Sequence, residues 1–141
     1  MGPLTLDASV LIALLDRADA HHARAVDAVE AADQNGEELV VPASAYSEAL
    51  VAFAREDRVR DAREAIVAMG ISVAPLDAKA AEQAAGLRAR HDRLRLPDAM
   101  VLAASQQRGG RLLSYDQRLQ RYAAEEANER TEEPNSGPPN P

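Results

Sequence analysis

An α/β domain built on a parallel sheet, with helices covering both faces, is predicted by three observations. Short apolar runs with strand character recur at residues 4–6, 39–41, 71–73 and 112–113. Long alanine-rich, helix-favouring stretches separate them. No hairpin signal joins one run to the next, so the crossovers are helical and the strands parallel.

The elements follow in order. Residues 4–6 form a strand that closes at Asp7. Residues 8–16 and 20–34 make a pair of helices ended by Asn35-Gly36, and 39–41 is the second strand. A second helix pair, 44–55 and 58–69, ends at Gly70 before the strand at 71–73. After Pro75, helices are predicted from 77 to about 91 and from 97 to about 108, the latter with Pro97 at its first position and Gly109-Gly110 beyond its end. The strand at 112–113 leads to Asp116. Residues 1–124 read as the folded domain. Residues 125–141 carry acids, Asn, Ser, Gly and four prolines, with Ala127 the one apolar residue, and read as a disordered tail or a partner-binding one.

With 141 residues, one domain with a proper core is the default. Cysteine is absent, which excludes disulfides, thiolate zinc sites and thiol catalysis. The longest apolar run, residues 10–15, is far too short to span a bilayer, and no basic segment precedes it, so a soluble, cytoplasmic protein without a membrane partner is expected. The net charge of -7 argues against a nucleic-acid partner at first sight. Residues 123–141, however, hold five acids against one base and carry -4 of that charge; the rest of the chain is at -3. No phosphate-cradling glycine motif is present.

Four carboxylates stand where short apolar segments meet turns or helices: Asp7, Glu48, Asp98 and Asp116. Ligands of open parallel sheets bind beyond the carboxyl ends of the strands, and Asp7 and Asp116 follow two such ends. Asp98 falls in the first turn of a helix, as a site residue or simply as a good helix-start residue. Glu48 shares a helical face with Ser44, Ala45, Val51 and Ala52, which predicts an acid on a buried face. Four such carboxylates repel one another, and burial raises their pKa values unless a cation compensates. The only lysine is Lys79, so a hard divalent cation is the economical counter-ion: Mg²⁺, with Mn²⁺ able to substitute. Its natural chemistry is phosphodiester hydrolysis.

Ser9, two residues after Asp7, and Ser114, two before Asp116, are placed either to hydrogen-bond a carboxylate or a coordinated water, or to serve as a helix cap and a strand-end hydroxyl. The basic segment 88–95 runs into Asp98 and either contacts phosphates or forms a solvated helix face. His91 reads as a surface residue in preference to a catalytic base, and His21-His22 as an exposed helix start in preference to a metal-binding pair.

Four segments resemble the PIN-domain ribonucleases, and among them the VapC-type toxins of bacterial toxin–antitoxin pairs. They are Leu6-Asp7-Ala8-Ser9-Val10-Leu11, Pro42-Ala43-Ser44-Ala45-Tyr46-Ser47-Glu48, Leu96-Pro97-Asp98 with the helix to Ser105, and Leu112-Leu113-Ser114-Tyr115-Asp116. The resemblance spans roughly residues 3–122. It implies a three-layer α/β/α fold, Mg²⁺-dependent endoribonuclease activity on RNA at Asp7, Glu48, Asp98 and Asp116, homodimers, and neutralisation by a cognate antitoxin. Where many relatives carry an aromatic residue, then a closing strand, this chain has Leu119; Gln117 and Arg118 stand where some carry a further acid. Two rivals remain: a catalytically inactive PIN-like module that binds a protein or RNA partner, and a phosphoryl-transfer regulator, which lacks an adjacent acidic pair and a suitable lysine.

Overall fold

The fold is described from a computed structural model, for residues 2–132. The chain order is β1 (Leu4–Leu6), α1 (Ala8–Leu15), α2 (His22–Gln34), β2 (Leu39–Pro42), α3 (Ala43–Arg55), α4 (Val59–Ala68), β3 (Ile71–Ala74), α5 (Ala78–Arg90), α6 (Leu96–Arg108), β4 (Arg111–Leu113) and α7 (Gln117–Glu132).

The four strands form one parallel sheet in the order β3-β2-β1-β4. Leu4 pairs with Leu39 on one side and with Arg111 on the other. Every residue of β1 and β2 is buried. A strand buried on both faces is covered by helices on both faces, which is the expected three-layer α/β/α arrangement. The edge strands β3 and β4 are more exposed. From β1 the chain steps outward to β2 and β3, then crosses back to place β4 on the opposite side of β1. Strand order therefore reverses between β1 and β4, and a crevice opens at their carboxyl ends.

The core is aliphatic: Leu4, Leu6, Val10, Leu11, Leu87, Leu102 and Leu119 are fully or almost fully buried. Ala84, Ala99 and Ala103 are also fully buried, and their small side chains let α5 and α6 lie close together. At the sheet edge, Gly110 has φ +79°, and a Cβ there would collide with the backbone of Gly2 and Pro3. The missing side chain lets Arg111 N–H reach Pro3 O at 3.1 Å, which starts the β1–β4 ladder.

Two expectations differ from the fold. Helix α6 begins at Leu96, so Pro97 is its second residue; a proline is tolerated in this turn because its missing N–H would have no partner. The second difference is α7, which continues to Glu132, so residues 125–132 are helical where a tail was expected. Residues 133–141, the remainder of that expected tail, lie outside the described residues. The helix starts because Asp116 Oδ1 accepts the N–H groups of Arg118 (2.9 Å) and Leu119 (3.3 Å). It persists because Leu119 and Glu126 are buried, with Tyr122 and Ala123 packed against the core, one face at positions 119, 122, 123 and 126. Glu126 accepts hydrogen bonds from His91 Nε2 (2.6 Å) and Arg90 Nη2 (3.1 Å). The composition of 125–141 concealed this anchor, and His91 is correspondingly part of a buried pair and not a surface residue.

Candidate active site

Asp7 ends β1 and caps α1, accepting Val10 N–H at 3.1 Å on Oδ1. The same oxygen accepts Ser9 Oγ–H at 2.6 Å, and Oδ2 accepts Ser114 Oγ–H at 2.5 Å across the β1–β4 crevice. Ser9 Oγ in turn accepts Tyr115 N–H at 3.0 Å, and Ser114 Oγ accepts Asp116 N–H at 3.0 Å. The two serines thus tie the start of α1 to the segment after β4. Asp7 is only 4% exposed. Burial pushes its carboxyl above the ordinary 3.8, against the bonds from Ser114, Ser9 and Val10 that pull it down, while the charge on Asp116 adds to the rise. A carboxylate offers about four acceptor positions; three are used here, so one remains open.

Asp98, in the first turn of α6, is half-buried. Its pKa is raised first by burial, then by the charge of Asp116, with smaller contributions from Glu48 and Asp7; Arg95 opposes them. The charges of Asp116, Glu48 and Asp7, from positions up to 109 residues apart, all act on Asp98. Asp116 spends Oδ1 on capping α7 and keeps Oδ2. Glu48 corrects the expectation made for it: it is exposed and not on a buried face. One turn earlier on α3, Ser44 Oγ is buried with no hydrogen-bond partner among the described residues.

Tyr115 was not singled out from the sequence, although it stands between Ser114 and Asp116. Its ring stacks on His21 at 4.6 Å, and the Arg24 guanidinium lies 4.9 Å from its centroid. His21 is thus committed to an aromatic stack, while His22 Nδ1 contacts Ala13 O at 2.7 Å.

The donor chemistry fits a hard cation: the converging ligands are carboxylate oxygens, with no sulfur and no imidazole among them. The spacing is wider than a closed cage. Among the described residues, no three acidic or histidine side chains are drawn together tightly enough to hold one ion directly. The two observations agree if some carboxylates reach the ion through water, as is usual for Mg²⁺, because like charges at such range hold one another apart. Asp7, with one acceptor position open, and Asp116, with Oδ2 unspent, are the carboxylates that could reach such an ion, directly or through water.

Among solved structures, the chain is similar to Mycobacterium tuberculosis VapC20, described as a sarcin-ricin loop cleaving toxin, at TM-score 0.65 and 20% identity over 84% of this chain and 93% of that one. It is also similar to a chain of a toxin–antitoxin complex from Klebsiella pneumoniae, at TM-score 0.64 and 22% identity over 80% of this chain and 86% of the other. At these identities the likeness is one of fold. No curated protein matches. A family model described as PIN domain matches residues 4–125, from the first residue of β1 to one residue short of the buried Glu126, and on that match the chain belongs to the PIN domain family.

Proposed function

We propose that this protein is a divalent-metal-dependent endoribonuclease of the VapC type, hydrolysing RNA phosphodiester bonds and neutralised by a cognate antitoxin. The observation that supports it is the crevice between β1 and β4, where Asp7, Glu48, Asp98 and Asp116 act on one another with Arg95 the one basic side chain in the balance. The solved relatives, one an RNA-cleaving toxin and one from a toxin–antitoxin complex, support the same reading. The chain acts as a homodimer or bound to its antitoxin. No described helix is long and apolar enough to cross a membrane.

Mg²⁺, or Mn²⁺ in its place, supplies a Lewis acid that makes water nucleophilic and neutralises charge developing at phosphorus. The residues supply position. Ser9, Ser114 and the Val10 N–H lock Asp7 in one rotamer, so its open acceptor site is aimed without further loss of freedom. Asp98 and Asp116 bring the remaining negative charge, and both must be ionised to bind the cation. For Asp7 and Asp98, burial and the charge of Asp116 oppose ionisation, and a bound cation would offset that cost. Glu48, which is exposed, would hold a water or a second ion.

A catalytically inactive PIN-like binding module is favoured by one observation, the absence of a ready three-ligand cluster among the described residues. Cleavage assays separate the two. Purified protein cuts single-stranded RNA with Mg²⁺ and stops in EDTA; Asp98→Asn and Asp116→Asn lose at least 100-fold in rate, on the order of removing one electrostatic stabiliser. Asn is a good helix cap, so Asp116→Asn keeps its helicity. Full activity in both variants, or cleavage undiminished by EDTA, removes the site.

A further inference from the structure

Three arginines are held by carboxylates: Arg90 pairs with Glu126, Arg111 with Glu37, and Arg58 with Glu56 and Asp61. Of the arginines outside these pairs, three are gathered at one place. Arg93, Arg118 and Arg121 line one cavity of about 160 Å³ together with Tyr122 and Glu125, and among the described residues none of the three lies within 4.0 Å of a carboxylate oxygen. Glu125 is the one acid in the lining, and its contact is with His91 at 3.8 Å.

Three guanidiniums facing one small cleft repel one another, and in a chain of net charge -7 carboxylates are available to separate them. Their grouping calls for an anion. The segments that carry them fix where that anion sits. Arg93 lies in the connection from α5 to α6, five residues before Asp98. Arg118 and Arg121 sit three apart, on one face of the first turns of α7, and Arg118 N–H is bonded to Asp116 Oδ1 at 2.9 Å. Both segments that make the basic cleft therefore also carry acids of the candidate site: Asp98 five residues after Arg93, and Asp116 two before Arg118. Tyr122 is held edge-on to His91 at 5.3 Å, which makes that wall rigid.

We propose that Arg93, Arg118 and Arg121 form a phosphate subsite that grips a phosphodiester of the single-stranded polynucleotide next to the one being cut, and so set the register of the chain over the carboxylates. This rests on the nuclease reading for its substrate, and it assigns the cleft a binding role, not a chemical one. Guanidinium forks suit the task, since each presents paired N–H donors to phosphate oxygens. An acid-lined crevice needs such a neighbour, because its own charge repels the backbone it must bring close.

The test is binding first, cleavage second. A fluorescein-labelled single-stranded RNA is titrated into full-length Asp98→Asn protein in EDTA, so no outcome depends on turnover. Adding Arg118→Gln and Arg121→Gln weakens binding at least tenfold and lowers the slope of log K against log salt by about 0.7, the value for one phosphate no longer neutralised in a single strand. Arg60→Gln with Arg63→Gln, an equal charge loss on the exposed face of α4, leaves both within twofold. In the active protein, the Arg118/Arg121 pair raises KM by the same factor with kcat within threefold. Equal weakening by the α4 pair, an unchanged salt slope, no RNA binding by the Asp98→Asn protein, or displacement of no RNA but of an acidic peptide each overturns the subsite. Loss of cleavage in wild type with the binding pattern intact overturns the nuclease reading and leaves the subsite standing.

Discussion

Glu126→Gln isolates what holds α7 to the domain. The carboxylate is buried, its side chain 5% exposed, and it takes a bond from His91, 12% exposed, and another from Arg90, 54% exposed. A hydrogen bond to a charged group contributes about 1.5–3 kcal/mol when buried. The His91 bond keeps the lower end of that range, ~1.5 kcal/mol, and solvent screening reduces the Arg90 pair to ~0.5 kcal/mol. Loss of the charge therefore costs about 2 kcal/mol, or a fall in Tm of about 8 °C at roughly 4 °C per kcal/mol for a domain of this size. Burial alone would raise the Glu126 pKa, but the bonds from His91 and Arg90 outweigh it and leave it below the ordinary 4.5. A depressed carboxyl stabilises the fold above its unfolded pKa and loses that contribution as pH falls through the folded value. The gap in Tm between wild type and variant is thus open at pH 7 and closes on acidification below about 4.5. Differential scanning calorimetry across that range measures it. A gap under 2 °C at pH 7, or one unchanged into acid, refutes the anchor. Truncation after Ala124 deletes the same group and lowers Tm at least as far.

In metal-free buffer, Asp98→Asn melts no lower than wild type, because it removes one repelling charge; with saturating Mg²⁺ the order reverses, wild type gaining ~2.7 kcal/mol at a hundredfold excess over Kd. Equal Mg²⁺-induced shifts in the two proteins, read by thermal melts, remove Asp98 from the site. Gly110→Ala meets both a positive φ and the Pro3 backbone, and urea unfolding registers a loss of more than about 3 kcal/mol, whereas Gly36→Ala, at φ +71° in open space, costs about 1 kcal/mol. Similar losses at the two positions contradict the close approach at the β1–β4 edge.

The strands and the first six helices were legible because apolar runs and alanine-rich stretches alternate, and Gly36, Gly70 and Gly109 punctuate them. The places of Asp7, Asp98 and Asp116 in the fold were legible because each follows a strand end or opens a helix. Glu48 was placed on the wrong side of its helix surface: small neighbours such as Ala45 and Ala52 looked like a buried face, yet Ala52 is itself exposed and only Ala45 and Ala49 turn inward. Small residues report close packing only when something packs on them. Helix α7 was hidden past residue 124 because Glu126 is bonded to His91, 35 positions earlier, and no local pattern in an acidic segment reveals a distant hydrogen-bond partner. The stripe Leu119, Tyr122, Ala123 was the available signal.

The bond from Ser114 to Asp7 spans 107 positions of the chain. During synthesis at roughly 5–20 residues per second, about 5–20 s separate the emergence of these two partners. In that interval β1 can already pair with β2, 35 residues downstream, but its other side stays open and Asp7 lacks one of the groups that orient it. The crevice is consequently completed only after the other three strands are in place. A nascent chain, or a fragment missing its final quarter, carries most of the hydrophobic core and three of the four acids, yet has no fourth strand to place them against. Whatever the finished protein does at that crevice, the unfinished one cannot do, and competence arrives in a single late step.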